Sequence, residues 1–169
     1  MSTETRSVLG RFLQGSISLP IIRTTCCNTL LLPNGHQGFI DPENGKASLR
    51  KILLCIDHDP DPREANTQVT SLSRLVDGDD SLEAIVLYVG EAADTPHVEL
   101  SSSDRIIWNR AYGQGKVVKA ICEEAEEIDA DVIVMPTAGH QGLMDSLRGS
   151  TTEQVLAAAN RPLLAVPSG

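Results

Sequence analysis

Short apolar runs alternate with amphipathic segments from residue 51 to the end of the chain. Runs such as residues 51–57 and 131–135 are continuously apolar and rich in Val, Ile and Leu, which is typical of buried strands in a parallel sheet. Between the runs, apolar side chains recur at helical spacing, most clearly over residues 116–128. The pattern predicts strands at residues 51–57, 84–89, 105–108, 131–135 and 162–166.

Two sequences typical of helix starts follow two of these strands. Asp61 is a candidate N-cap, with Pro62 at the first helical position and Glu64 completing a capping box. Ser150 and Glu153 have the same capping spacing before the last helix. Residues 90–104 are polar, with a proline and three consecutive serines, and predict a loop with at most a short helix.

This order predicts an α/β fold with an open, five-stranded, mostly parallel sheet and helices on both faces, as in Rossmann-like proteins. In such sheets ligands bind beyond the carboxyl ends of the strands, where the strand order reverses. We therefore expect any binding site of this chain at that edge of the sheet.

Residues 13–35 repeat residues 147–169 at a constant offset of 134, with six of 23 positions identical. The match pairs the last predicted helix and strand with a second helix at 16–25 and a second strand from Thr29 to Leu32. We interpret residues 1–35 as the remnant of a first domain, residues 36–50 as a linker and residues 51–169 as a complete domain. The linker has Gly, Asn and Asp-Pro turn chemistry.

The charge distribution narrows the range of partners. The chain has a formal net charge of −9, and residues 51–169 alone carry nine Lys or Arg against twenty Asp or Glu. An acidic domain repels phosphate backbones, so we expect no nucleic acid as partner. We expect no membrane span, because the apolar runs are only strand-sized. The four cysteines form no zinc or disulfide pattern, which favours a cytoplasmic protein.

The glycine-containing segment after the fourth strand is the strongest candidate for binding chemistry. Gly139 lies in the loop that follows this strand, and Gly149 and Ser150 precede the last helix. Glycines and a helix start allow backbone N–H groups to approach a phosphate, and the hydroxyls of Ser150 and Thr151 can donate as well. Asp57, at the end of the first strand, could accept from an amine or a ribose hydroxyl at the same edge.

Residues 51–169 resemble the universal stress protein family in their strand ending at Asp57 and in the stretch 131–167. ATP-binding members carry G-x2-G-x9-G-[ST]; here Gly139, Gly149 and Ser150 match, and Pro136 occupies the place of the first glycine. The resemblance implies that Asp57 and Val89 contact adenine. It implies that Pro136, Gly139, His140, Gly149, Ser150 and Thr151 surround ribose and phosphates of ATP or AMP, with Mg²⁺ accompanying ATP. It also implies a role in stress response or signalling, with at most slow ATP hydrolysis.

Two alternatives stay open. Pro136 lacks the N–H of a glycine and the loop is poor in basic residues, which would suit a protein of this fold that binds no nucleotide and acts through protein partners. The second alternative is a metal-binding enzyme that uses His58, His140, Asp57 and Asp59 at the sheet edge.

The resemblance further implies a homodimer or higher oligomer through the last strand, from Leu163 to Val166. An open strand edge has to be covered, and the strand from Thr29 to Leu32 could cover it within its own chain or in a second copy.

Overall fold

The computed structural model describes residues 27–33, 35–36, 38–41, 43–76, 81–138 and 151–168. The predicted helix at residues 16–25 lies outside them. Six strands and three α-helices are described. The strands are β1 (Thr29–Leu31), β2 (Lys51–Ile56), β3 (Leu82–Val89), β4 (Ile106–Gly113), β5 (Val132–Thr137) and β6 (Leu163–Pro167). The helices are α1 (Arg63–Leu72), α2 (Val117–Glu127) and α3 (Thr151–Ala158).

All six strands form one open sheet in the order β1-β6-β5-β2-β3-β4. The pairs from β6 through β4 are parallel, and only β1 is antiparallel to its neighbour β6. The predicted α/β class and the mostly parallel open sheet are therefore confirmed. The sheet has a sixth strand because β1 joins the five predicted for residues 51–169.

Each face of the sheet is covered by its own layer. Helices α2 and α3 cover one face, here called the α2–α3 face, where the core includes Leu53, Cys55 and Ile133. Helix α1 and the chain between β3 and β4 cover the other, here called the α1 face, whose core includes Ile52 and Leu54. Alternate residues of β2 enter the two cores, which is why that strand reads as a continuous apolar run.

Of the predicted boundaries that differ from the structure, two show a local physical effect. Helix α1 begins at Arg63, after Pro62, although the carboxylate of Asp61 does accept the Arg63 N–H at 2.9 Å. The reciprocal capping bond expected of Glu64 is not among the contacts described. Strand β4 runs to Gly113 rather than ending at Trp108. Its second half is polar because it is an edge strand with exposed Asn109 and Arg110, so hydrophobicity alone underestimates its length.

The chain between β3 and β4 contains only a single 3₁₀ turn, Ala92–Asp94, as its composition predicted. Residues 91–105, here called the strap, cross the α1 face, where Val98 is buried and Leu100 packs against the core. Three side chains from other elements donate to strap carbonyls. They are His58 to Asp94 at 2.7 Å, Asn66 to Glu99 at 2.8 Å and Trp108 to Ser101 at 3.0 Å.

The segment that joins β1 to β2 folds back on itself. Asp41 accepts the N–H of Gly45 and donates its own N–H to Lys46, both at 2.8 Å, and Ser48 donates to Phe39 at 2.7 Å. The side chain of Phe39 is 5% exposed and belongs to the core of the α1 face. The turn-forming composition of this linker therefore produces a compact hairpin that is fixed on the sheet. Among the residues described, no helix is long and apolar enough to cross a bilayer.

Candidate functional site

A cavity of about 330 Å³ lies at the carboxyl ends of β2, β3 and β5, beneath the first turns of α2 and α3. Strand β2 connects forward to β3 on one side and pairs with β5 on the other, so the strand order reverses between β2 and β5. This is where open α/β sheets bind ligands, and where the sequence predicted a site. The cavity is lined by Cys55, Ile56, Asp57, Asp59, Pro60, Leu87, Val89, Val117, Ile121, Met135, Pro136, Thr137, Ala138, Thr151 and Thr152.

The walls of the cavity are mostly apolar. Cys55, Leu87 and Met135 are buried side chains of the α2–α3 face that reach the cavity from three neighbouring strands. Helix α2 adds Ile121, which is buried, and Val117, which is 40% exposed at the opening. Such a surface favours a flat, largely apolar group over a strongly hydrated one.

Polar groups lie at the rim and along the α3 side. Asp57 and Asp59 are exposed, and Asp57 Oδ1 accepts the backbone N–H of His58 at 2.8 Å. Thr151 is exposed at the first position of α3, and Thr152 beside it is buried. None of the described lining residues is Lys or Arg. The described rim therefore offers carboxylate acceptors and the start of a helix.

Four of the eight predicted site residues meet in this cavity: Asp57, Val89, Pro136 and Thr151. The other four, Gly139, His140, Gly149 and Ser150, lie outside the described residues. Pro136 is buried within β5, opposite Val166 of β6. The position that matches the family's first glycine is therefore part of a strand, and its ring forms part of the cavity wall.

Helix α2 was the main contributor that sequence reasoning missed. Val117 and Ile121 lie in the segment 116–128, for which the sequence predicts only an amphipathic helix, yet both also line the cavity. The sequence carried a signal for both residues, because they lie in the first turns of the crossover helix that follows β4. The amino end of such a helix lies at the carboxyl edge of the sheet, where ligands bind. Asp59 was considered only as a metal ligand. Cys55, Leu87 and Met135 could not be separated from other core residues by pattern alone.

Of the two histidines in the metal alternative, His140 lies outside the described residues and His58 has other partners. His58 packs edge-on against Tyr88, with ring centroids 6.0 Å apart, and its Nε2 is bound to the carbonyl of Asp94. No group of three or more His, Cys, Asp or Glu able to hold a metal ion occurs among the described residues. His58 instead connects the rim of the cavity to the strap.

The thiol of Cys55 is protected by its surroundings. Burial raises its pKa far above the ordinary range, and the nearby Cys122 raises it further. Burial also raises the pKa of Cys122 itself, with a contribution from Glu123. Cys55 therefore acts as an apolar wall of the cavity and has no thiolate at neutral pH.

Comparison with known proteins supports the resemblance. Residues 104–167 match the model of the universal stress protein family. A universal stress protein from Archaeoglobus fulgidus DSM 4304 has a similar structure, with a TM-score of 0.65 at 19% identity. The match covers 96% of this chain but only 57% of the Archaeoglobus protein, so the chain spans little more than half of that relative.

A second similar structure is that of the hypothetical protein MJ0577, a test case for the assignment of biochemical function from structure. Its TM-score is 0.50 at 20% identity, and the match covers 71% of this chain and 96% of that protein. No curated protein sequence matches significantly. The family match over residues 104–167 and the fold shared with the Archaeoglobus protein confirm that this chain resembles the universal stress protein family.

Proposed function

We propose that the cavity at the carboxyl ends of β2, β3 and β5 binds an adenine nucleotide, AMP or ATP, in a universal stress protein-like module for stress response or signalling. The observation that carries the proposal is the position of Asp57, Val89, Pro136 and Thr151 around one cavity at the reversal point of the sheet. Asp57 and Thr151 are indicated by local features of the sequence, and Val89 and Pro136 by its resemblance to the family.

The described walls of the cavity suit the adenine base of AMP or ATP. A volume of about 330 Å³ is in the usual range of small-molecule sites, and the apolar surfaces of Val89, Leu87 and Met135 can pack against a flat ring. Asp57 can accept a hydrogen bond from an adenine amine or a ribose hydroxyl. Thr151 starts helix α3, whose first N–H groups and positive dipole end favour a phosphate.

The negative charge at the rim of the cavity favours the binding of AMP, or of ATP only when a cation accompanies it. The carboxylates of Asp57 and Asp59 lie at the rim and repel additional phosphates, and no lining residue described is basic. Mg²⁺ bound to the phosphates of ATP would reduce that repulsion. We therefore expect AMP to bind in the absence of metal and ATP to need Mg²⁺.

Isothermal titration with AMP, with ATP and with ATP plus Mg²⁺ tests the proposal. Ala138→Trp places an indole in the cavity and should abolish the binding heat. Ala92→Trp is the matched control, because Ala92 is exposed at the same end of the sheet but does not line the cavity. The unaltered chain and the control should bind alike.

No heat with any of these ligands, at protein concentrations that would reveal a Kd of about 100 μM, would refute nucleotide binding. Equal binding to the Ala138→Trp variant would place the nucleotide elsewhere on the molecule. The absence of binding would favour the second candidate, a protein of this fold that binds no nucleotide and acts through protein partners. The observation behind that candidate is Pro136, whose ring occupies the cavity wall where a glycine N–H could have bound a ligand.

A further inference from the structure

Strands β2 and β3 each end with one residue in the cavity and a neighbouring residue beside the strap. Asp57 and Val89 line the cavity. Their neighbours in the chain, His58 and Tyr88, contact each other, and Tyr88 packs against the core of the α1 face. Successive side chains of an extended chain point to opposite faces of a sheet. A single peptide unit therefore separates the cavity from the residues that contact the strap.

The carboxylate of Asp57 is oriented by the residue that follows it. Its Oδ1 accepts the backbone N–H of His58 at 2.8 Å, and among the contacts of the described residues its Oδ2 has no partner. The N–H thus fixes one carboxylate oxygen and leaves the other to accept from an amine or a ribose hydroxyl in the cavity. The backbone position of His58 therefore determines where the ligand finds its acceptor.

The ring of His58 attaches the rim of the cavity to the start of the strap. Its Nε2 donates to the carbonyl of Asp94 at 2.7 Å, and Asp94 ends the 3₁₀ turn Ala92–Asp94. The ring also packs edge-on against Tyr88, with the ring centroids 6.0 Å apart. These two contacts hold the side chain of His58 in one orientation, although it is exposed.

The chain leaves β3 directly against the ring of Tyr88. A Cβ atom added to Gly90 would lie 2.8 Å from Cε1 and 2.9 Å from Cζ of Tyr88, so only glycine fits without a shift of the ring. The N–H of Gly90 donates to the carbonyl of Gly113, the last residue of β4, at 3.0 Å. The strap therefore starts from a fixed point, and His58 supplies the next attachment along it.

The strap itself has few bonds that resist opening. The backbone bonds described within it lie in the turn at residues 91–95, and the longer of them is 3.4 Å. Further along, the Oδ1 of Asn66 and the Oγ of Ser101 are buried without a partner. A segment with so few bonds opens at a low free energy, so the single bond from His58 changes how often it opens.

We propose that His58 is a positioning residue that couples the occupancy of the cavity to the closure of the strap. A ligand bound to Asp57 holds the peptide unit of His58 in place, and the bond from His58 to Asp94 then holds the start of the strap. The closed strap in turn keeps Asp57 oriented for the ligand, because coupling between two sites is reciprocal. This inference rests on the proposed nucleotide binding and adds the way in which a bound nucleotide changes the α1 face of the molecule.

Hydrogen exchange of residues 91–105 measures the strap, and calorimetric titration with AMP measures the cavity. In the unaltered chain, saturating AMP should slow exchange over the strap. His58→Ala removes the bond to Asp94 but keeps the backbone N–H that binds Asp57. It should accelerate exchange of the strap about fivefold without ligand. It should also weaken AMP binding about fivefold and abolish the protection of the strap by AMP.

Two further variants separate the bond from a general loosening of the structure. His97→Ala is the matched control, because His97 is an exposed histidine of the strap and makes no hydrogen bond or ion pair among the described contacts. It should leave both measurements unchanged. His58→Gln keeps a side-chain N–H donor of similar reach and should restore most of the affinity and of the protection. If His58→Gln were as weak as His58→Ala, the bond to Asp94 would not transmit the coupling and the proposal would be overturned.

The two measurements distinguish a failure of this inference from a failure of the proposed function. If AMP bound equally to the unaltered chain and to His58→Ala, and exchange of the strap did not respond to AMP, the coupling would be wrong while nucleotide binding would stand. If AMP gave no binding heat with the unaltered chain, nucleotide binding would be wrong and this inference would fall with it. Protection of the strap by AMP that is lost in His58→Ala and restored in His58→Gln would confirm both.

Discussion

At Cys55, burial determines both the role and the chemistry of the side chain. The residue is 6% exposed and faces the cavity from the central strand, between Leu87 and Met135 on the neighbouring strands. Its thiol keeps its proton because ionisation in this apolar environment is unfavourable, which raises its pKa. The residue therefore contributes shape to the site without contributing a nucleophile.

We predict that Cys55 resists alkylation in the folded protein while the exposed Cys27 reacts readily. Mass mapping after iodoacetamide treatment should find Cys55 unmodified at pH 7 to pH 9, and both residues modified in concentrated urea. The pKa of Cys55 is raised only in the folded state, so the unfolded chain ionises first as the pH rises. The stability that comes from the protonated thiol is therefore fully present below about pH 8.5, the ordinary thiol pKa, and is lost as the pH rises beyond it. The contribution of Cys55 to the free energy of unfolding should fall over that alkaline range, as a comparison with Cys55→Ala would measure. Rapid modification of Cys55 in the native protein would contradict this.

A second residue-scale feature positions the strand that ends at the site. Asp131 Oδ2 accepts the N–H of Arg50 at 2.7 Å and that of Lys51 at 2.8 Å. These bonds tie the start of β5 to the start of β2. The carboxyl ends of both strands then supply Asp57 and Ala138 to the same cavity.

At the scale of elements, the strap takes the place of a crossover helix between β3 and β4. Its own chain has few regular backbone bonds, so it depends on donors from its neighbours. Asn66 is buried and donates through Nδ2 to Glu99, whereas its Oδ1 has no partner. The Oγ of Ser101, also in the strap, is a second buried atom without a partner. Unsatisfied polar atoms lower the stability of this contact relative to the sheet beneath it.

We predict that Asn66→Ala loosens the strap while the sheet remains folded. Loss of the bond to Glu99 should cost about 1 kcal/mol. Trp108, the only tryptophan of the chain, donates to the strap at Ser101, so its emission should shift to longer wavelength. Hydrogen exchange over residues 91–105 should accelerate.

The control for this experiment is Thr67→Ala on the same helix, because the Thr67 hydroxyl is exposed and bonds only to Arg63 of its own helix in the contacts described. If the amides of the strap exchanged hydrogen at the same rate in the Asn66→Ala and Thr67→Ala variants, the bond from Asn66 to Glu99 would not be what holds the strap.

At the scale of the whole molecule, the central strand joins the two cores. Leu53 and Cys55 belong to the α2–α3 face, and Ile52, Leu54 and Ile56 belong to the α1 face. Because one strand contributes to both layers, damage on one face weakens the other. The sheet from β1 to β4 should therefore unfold as one cooperative unit.

We predict that Leu54→Ala lowers the free energy of unfolding by about 2–5 kcal/mol, since Leu54 is fully buried in the central strand. Leu75→Ala removes the same atoms at a position that is 45% exposed and should cost less than about 1 kcal/mol. Urea unfolding followed by circular dichroism and by Trp108 fluorescence measures both variants. The two signals should give one midpoint for each protein, and separate midpoints would show that the faces unfold independently.

The sequence by itself determined the alternation of strands and helices, and with it the edge of the sheet where a site could form. It could do so because buried parallel strands read as continuous apolar runs such as residues 51–56, and because right-handed crossovers leave few topologies. It also indicated Asp57 and Thr151, since strand ends and helix starts are local features, whereas Val89 and Pro136 followed only from the resemblance to the family. The same local patterns were less informative for the edge strand β4, where alternate positions face water.

Only the tertiary structure decided which core residues also form a cavity wall, because Cys55, Met135 and Ile121 have the same pattern as residues that face no cavity. It also decided that His58 binds the strap, since that bond joins residues 36 positions apart. Finally, it decided that β1 pairs with β6 of its own chain. The repeat made that pairing conceivable, but its partner and register depend on backbone hydrogen bonds between segments more than 130 residues apart in the sequence.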